Sequence, residues 1–226
     1  MALFRDALPG PTPPVPITPR PSEVARLLPE MYSMKSRDDV IARMLRWSQD
    51  FIEQPHRVFG GLPICPFAKA AVLRQSIRFE VLCFSASDPF EADGRVMTLI
   101  SEFLGDEKLE TLFVIHPEPE RIGAHALEAW VARLNARLAT CAVTRGLQVF
   151  EAHPGSEYCI GGVYTRRSPY PSVQVLRRSL LKDASDALLG SSYYDHFTPE
   201  MLRAVGMPHD MPSRTMPETP VRCSRR

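Results

Sequence analysis

The apolar positions of this chain change period along its length, and those changes mark its elements. From Ser36 onward Val40, Ile41, Met44, Leu45, Phe51 and Ile52 recur at helical spacing. Ser36 and Asp39 stand in N-cap and capping-box positions, and Pro55 ends the helix. A Gly60-Gly61-Leu62-Pro63 loop leads to Cys65-Pro66, which predicts a second, short helix because proline suits the first helical turn. Ile77 to Phe84 then reads as a strand. Asp88-Pro89 starts a helix bearing Phe90, Met97, Ile100 and Leu104, and Leu112 to Ile115 is a short, fully apolar strand. Pro119 opens a helix with Leu127, Trp130, Val131, Leu134 and Leu138 on one face, and Leu147 to Phe150 is a third strand. Pro171 is expected to open a further helix carrying Leu176, Leu180, Leu181 and Leu188. Thr198-Pro199-Glu200 begins a last short helix that Gly206 ends.

Strand, helix, strand, helix, strand is the pattern of a parallel sheet with right-handed crossovers. The expected fold is therefore α/β: a small, mainly parallel sheet of at least three strands with βαβ crossovers, flanked by N- and C-terminal helices. Residues 9–21 contain seven prolines, so 1–35 is expected to be an extended, Pro-rich arm. Its PxxP spacings (Pro11 to Pro14, Pro13 to Pro16) suit docking to a protein partner. The single α/β domain should occupy 36–206, and the Pro-punctuated, charged segment 207–226 should be a disordered tail.

Composition narrows the function only slightly. With 226 residues, 44% apolar and 23% charged, the chain suits one domain with a core of its own. A net charge of +1 gives no pull toward nucleic acid or a membrane surface. No apolar run reaches the roughly 20 residues needed to span a bilayer, and the N-terminus lacks a secretory pattern, so a cytoplasmic protein is expected. Five cysteines occur without a CxxC pair, which indicates neither a disulfide framework nor a structural zinc site.

Candidate chemistry gathers where the strands end, since ligands of parallel sheets bind outside the carboxyl ends of strands. Two of the expected strands run into His-Pro pairs, His116-Pro117 and His153-Pro154. If those strands are adjacent, both imidazoles reach one ligand or one transition metal ion, with a third donor from Glu118, Glu157, Asp88 or Cys159. Otherwise each histidine caps its strand end and bonds the loop. Cys65 precedes Pro66 at an expected helix N-terminus, where the helix dipole would favour a thiolate; a buried, inert cysteine is the plain alternative. Arg166-Arg167-Ser168 leads from Gly161-Gly162 toward Pro171, and its guanidiniums and hydroxyl at a helix start suit a carboxylate or phosphate. Walker A, GxGxxG, GxSxG and HExxH strings are absent from the sequence.

Taken in order, several strings resemble a bacterial family, domain of unknown function 1415. They are Gly61-Leu62, Cys65-Pro66-Phe67-Ala68-Lys69, the strand ending in His116-Pro117, the Leu147-Gln148-Val149 strand ending in His153-Pro154, and Arg167-Ser168-Pro169-Tyr170-Pro171. The resemblance spans roughly residues 40–206. It implies that Cys65, His116, His153 and the Arg167 motif form one shared constellation. Arg166 stands where that family usually has Asn, and Gly155 to Cys159 depart from its usual aromatic and amide-rich segment.

Two functions are open at this point. One is an enzyme on a small anionic substrate held by Arg167, Ser168, Tyr170 and Lys69. In it His116 and His153 act as acid and base or as metal ligands, and Cys65 as nucleophile or redox centre. An oxidoreductase, metal-assisted or thiol-dependent, leads and a transferase follows. The other is an accessory protein that binds a ligand or metal in the same place without turnover.

Overall fold

The computed structural model describes residues 36–85 and 94–207. The Pro-rich arm, the Asp88-Pro89-Phe90 helix start and the tail beyond Met207 lie outside the described residues.

Helix α1 (Arg37–Trp47) begins as its sequence demands: the Ser36 hydroxyl accepts from the Asp39 N–H at 3.1 Å and donates to the Asp39 carboxylate at 2.8 Å. Val40 and Met44 are its buried face. A π-helical turn, Ser48–Ile52, continues it. Ile52 ends the helix, so its carbonyl has no intrahelical donor and accepts the Cys65 N–H at 3.1 Å, which ties the cysteine loop to this helix. After α2 (Ala68–Leu73) come β1 (Ile77–Val81), α3 (Gly94–Gly105), β2 (Thr111–Ile115), α4 (Ala124–Thr140) and β3 (Leu147–Ala152). The turn at Pro119–Arg121 is a separate 3₁₀ turn, and α4 starts behind it.

The largest departure from expectation follows β3. Pro171 opens a strand, β4 (Ser172–Arg177), and helix α5 (Arg178–Ala187) starts only afterwards; α6 (Pro199–Ala204) is the last helix described. Ser-Val-Gln-Val-Leu-Arg alternates with period two, and its valines favour an extended backbone. The four strands order as β1-β2-β4-β3. β1 and β2 pair parallel, whereas β4 runs antiparallel to both β2 and β3. The sheet is therefore mixed, mostly antiparallel with one parallel pair, and the mainly parallel arrangement is corrected. An α/β fold with flanking helices stands.

Alternation sorts the sheet into two faces. One carries Leu112, Val114, Val149, Val173 and Val175, which pack with α3 and α4 through Ile100, Phe103, Leu127, Trp130 and Leu134 into the main core. The opposite face is covered differently. Val40 and Met44 of α1 meet Ile115 and Tyr170 in one cluster, while Val58, Phe59, Ile160, Tyr193 and Phe197 form another. Both sheet edges are occupied. The Asn135 side chain receives the Val149 N–H at 2.9 Å and donates to the Val149 carbonyl at 2.8 Å, mimicking a neighbouring strand, and Arg37 donates to the Phe79 carbonyl at 2.9 Å. No helix among the described residues is long and apolar enough to cross a membrane.

Candidate functional site

The two clusters on the second face of the sheet do not merge. Between them and the strands lies a cavity of about 530 Å³, within the size range of small-molecule sites. Its floor follows from strand register. Phe79, Phe113, Gln174 and Phe150 form one cross-strand row over all four strands, and the next row is Val81, Ile115, Ser172 and Ala152. Phe79 and Phe113 stack at 5.5 Å between centroids, inclined by 13°. The walls come from Met44, Trp47 and Ile52 on one side and from Phe59, Tyr158 and Tyr193 on the other. Tyr193 is buried, and its hydroxyl donates to the Ile64 carbonyl.

Two polar features stand out in this apolar enclosure. Ser172 is 1% exposed, and its Oγ has no hydrogen-bond partner among the described residues. A buried hydroxyl left unpaired is destabilising by roughly 1–3 kcal/mol, so its place on a cavity floor calls for a partner. The other is an ion pair. Arg166 donates to Glu151 with both side chains largely buried, and its guanidinium lies 3.6 Å from the Tyr158 ring centroid.

Cys65 is in the cavity wall. Burial pushes its thiol up, outweighing the Phe67 and Ala68 backbone N–H groups that hydrogen-bond the sulfur. This direction opposes the thiolate expected at a helix N-terminus. Helix α2 begins only at Ala68 and has six residues, too few for a strong dipole, and the apolar surroundings disfavour charge.

The histidines are elsewhere. β4 runs between β2 and β3, so His116 and His153 leave the sheet at the same end but two strand spacings apart, roughly 10 Å. The His116 Nδ1 accepts from the Glu118 N–H at 3.1 Å, and its ring meets Phe84 edge-on at 5.4 Å. The His153 Nδ1 accepts from the Gly155 N–H at 2.9 Å while its Nε2 donates to the Ile122 carbonyl at 2.7 Å, which engages both ring nitrogens. Neither histidine lines the cavity. Among the described residues no three His, Cys, Asp or Glu side chains are grouped so as to hold a metal ion.

The Arg167 motif is likewise divided. Arg167 donates to the Ser156 carbonyl at 3.0 Å and stacks 3.4 Å over Tyr164, outside the cavity lining. Ser168 is buried and donates to the Tyr170 carbonyl at 2.6 Å, bracing the turn into β4. Tyr170 is buried in the α1 cluster with the Arg43 guanidinium over its ring, and Lys69 is exposed on α2. Of the residues the sequence singled out for chemistry, Cys65 lines the cavity together with Thr165 and Arg166 of the arginine string, while His116, His153, Arg167, Ser168, Tyr170 and Lys69 do not. Sequence reasoning missed Ser172, Gln174 and the phenylalanine row. The signal that could have found them is the alternation from Ser172 to Arg177.

Burial pushes the His116 imidazole below its ordinary value. The unfolded chain protonates a histidine near pH 6.5, so below that pH it binds more protons than the folded state and stability falls with acid. Urea unfolding between about pH 7 and pH 5 should show this decline, and His116→Gln, which retains an acceptor but does not titrate, should flatten it. An unchanged slope in the variant would assign the acid sensitivity to other groups.

Residues 40–201 match the model of the family described as protein of unknown function (DUF1415). All four strands and α1 to α5, apart from the first three residues of α1, fall within the matched segment. No curated protein and no solved structure matches the chain.

Proposed function

The chain belongs to the DUF1415 family, whose description assigns no activity, and from that premise we propose that it binds a small, largely apolar molecule in the cavity between the sheet and its cover of α1, α5 and the 158–163 loop. The observation that carries this reading is the Ser172 hydroxyl, buried without a hydrogen-bond partner among the described residues on the floor of a largely apolar cavity of about 530 Å³. An occupant with an apolar body would gain dispersion contacts with this surface, and one polar group on it would pair the hydroxyl. Binding is placed before turnover because neither His116 nor His153 borders the cavity among the described residues.

A second reading keeps one observation in its favour. Cys65 borders the same cavity, so a thiol-dependent oxidoreductase or transferase acting on the bound molecule would have its sulfur in place. The raised thiol ranks this behind simple binding.

Cys65 also supplies the test, because Cys83 and Cys141 are exposed and serve as internal controls. Peptide mapping after timed N-ethylmaleimide treatment should find Cys141 modified faster than Cys65, since backbone N–H groups of Val143 and Thr144 pull the Cys141 thiol down. Saturating naphthalene should slow modification of Cys65 and leave Cys83 and Cys141 unchanged. Equal protection of all three, or of none, would remove the cavity as a binding site.

A further inference from the structure

We propose that the polar end of the bound molecule is a neutral, planar edge with a hydrogen-bond donor and acceptor side by side, as in a carboxamide or lactam, and that Gln174 reads it with Ser172 beside it. The inference rests on the binding reading above and specifies its ligand.

The charges of the cavity argue against an ionic ligand. Arg166 is paired with Glu151, and at the α2 side Arg74 donates to Glu110 at 2.7 Å, with the Ser76 hydroxyl donating to the same carboxylate at 2.7 Å. Asp183, which also borders the cavity, lies on an exposed part of α5. A carboxylate or phosphate entering between the strands and α1 would therefore lose its hydration and meet guanidiniums already neutralised. Burying charge without a counter-charge is strongly unfavourable. The anionic substrate expected from the arginine string is thus replaced by a neutral one.

The floor says what a neutral ligand would meet. Gln174 pairs across the sheet with Phe113 on one side and Phe150 on the other. A primary amide, with its acceptor and two donors, thus sits in a row of aromatic rings. Ser172 lies two residues along the same strand on the same face, roughly 7 Å away, with a hydroxyl that both donates and accepts. Flat apolar surface is offered by the rings and paired donor–acceptor sites by the two polar side chains. Amides pair with amides through two hydrogen bonds, which a carboxylate, having no donor, does not reproduce. A site built to hydrogen-bond a particular group also discriminates strongly against analogues that lack it.

Isothermal titration with naphthalene, 2-naphthamide and 2-naphthoate, which share a ring system and differ at one edge, separates the possibilities. We expect 2-naphthamide to bind at least ~10-fold tighter than either of the others, a difference of about 1.4 kcal/mol. Gln174→Met keeps the side-chain length and removes the amide, and Ser172→Ala removes the hydroxyl. Each variant should shrink the advantage of 2-naphthamide over naphthalene measured in the same variant. Naphthoate binding as tightly as the amide, or an amide advantage that survives in both variants, would overturn the assignment. Equal binding of all three probes would overturn the edge and leave the cavity as a binding site. Binding by none of them would take down both.

Discussion

Replacing Arg166 by methionine is expected to lower the unfolding free energy by about 3–5 kcal/mol, the loss that follows when one partner of a buried ion pair is removed. Arg166 and Glu151 side chains are 19% and 11% exposed, so water screens them poorly. The guanidinium also lies 3.6 Å from the Tyr158 ring centroid and 5.4 Å from that of Phe150. Methionine fills much of the same volume but leaves the Glu151 carboxylate without a counter-charge. The double substitution Arg166→Met with Glu151→Gln should recover most of the loss, because it removes both charges together. Urea unfolding of the wild type, the two single variants and the double variant measures the coupling directly. A loss below about 1 kcal/mol for Arg166→Met, or no recovery in the double variant, would mean that the pair behaves as an exposed one. That result would also weaken the neutral-ligand assignment, since a guanidinium held so loosely would be available to an anion.

Gly161→Ala should be nearly as damaging, at about 3 kcal/mol, for two reasons that add. Gly161 has φ +55°, where an L-residue pays roughly 1–2 kcal/mol. A Cβ there would also stand 2.5 Å from Val58 Cγ1 and 3.1 Å from His196 Cγ, and overpacking of this kind typically adds about 1–3 kcal/mol. The position matters because Ile160 and Val163 pair across this turn, and the loop delivers Tyr158 to the cavity wall. Thermal or urea unfolding checks the size of the effect. A Val58→Ala background separates its causes: there the Gly161→Ala loss should shrink, leaving the backbone contribution and the milder contact with His196. If it stays the same size, the steric part of the explanation is wrong.

How much of this was legible beforehand differs between fold and site. The α1 face of Val40 and Met44, the Ser36 cap, the α4 face from Leu127 to Leu138 and the apolar strand Leu112 to Ile115 are all present as their local patterns require. Each is set by contacts or propensities within a few residues. The segment after Pro171 was ambiguous. Leu176, Leu180 and Leu181 are compatible with one helical face, yet Ser172 to Arg177 alternates with period two, and a proline precedes a strand as readily as a helix. What resolves it is the gap between β2 and β3, which β4 fills by pairing with both.

The insertion of that one strand also decides the site. It sets the two His-Pro ends apart and lays Ser172 and Gln174 on the cavity floor, between residues distant in the chain. The arginine string placed two guanidiniums near Gly161-Gly162. It did not distinguish Arg166, which turns to Glu151, from Arg167, which turns to the Ser156 carbonyl. By itself, then, the sequence determined most of the helices, three of the strands, the α/β class and the family resemblance, because periodicity, capping and turn chemistry act locally. The tertiary structure alone decided the fourth strand, the mixed sheet and the membership of the cavity. Those depend on strand register and on two apolar clusters that fail to meet, and both are properties of pairing across the chain rather than along it.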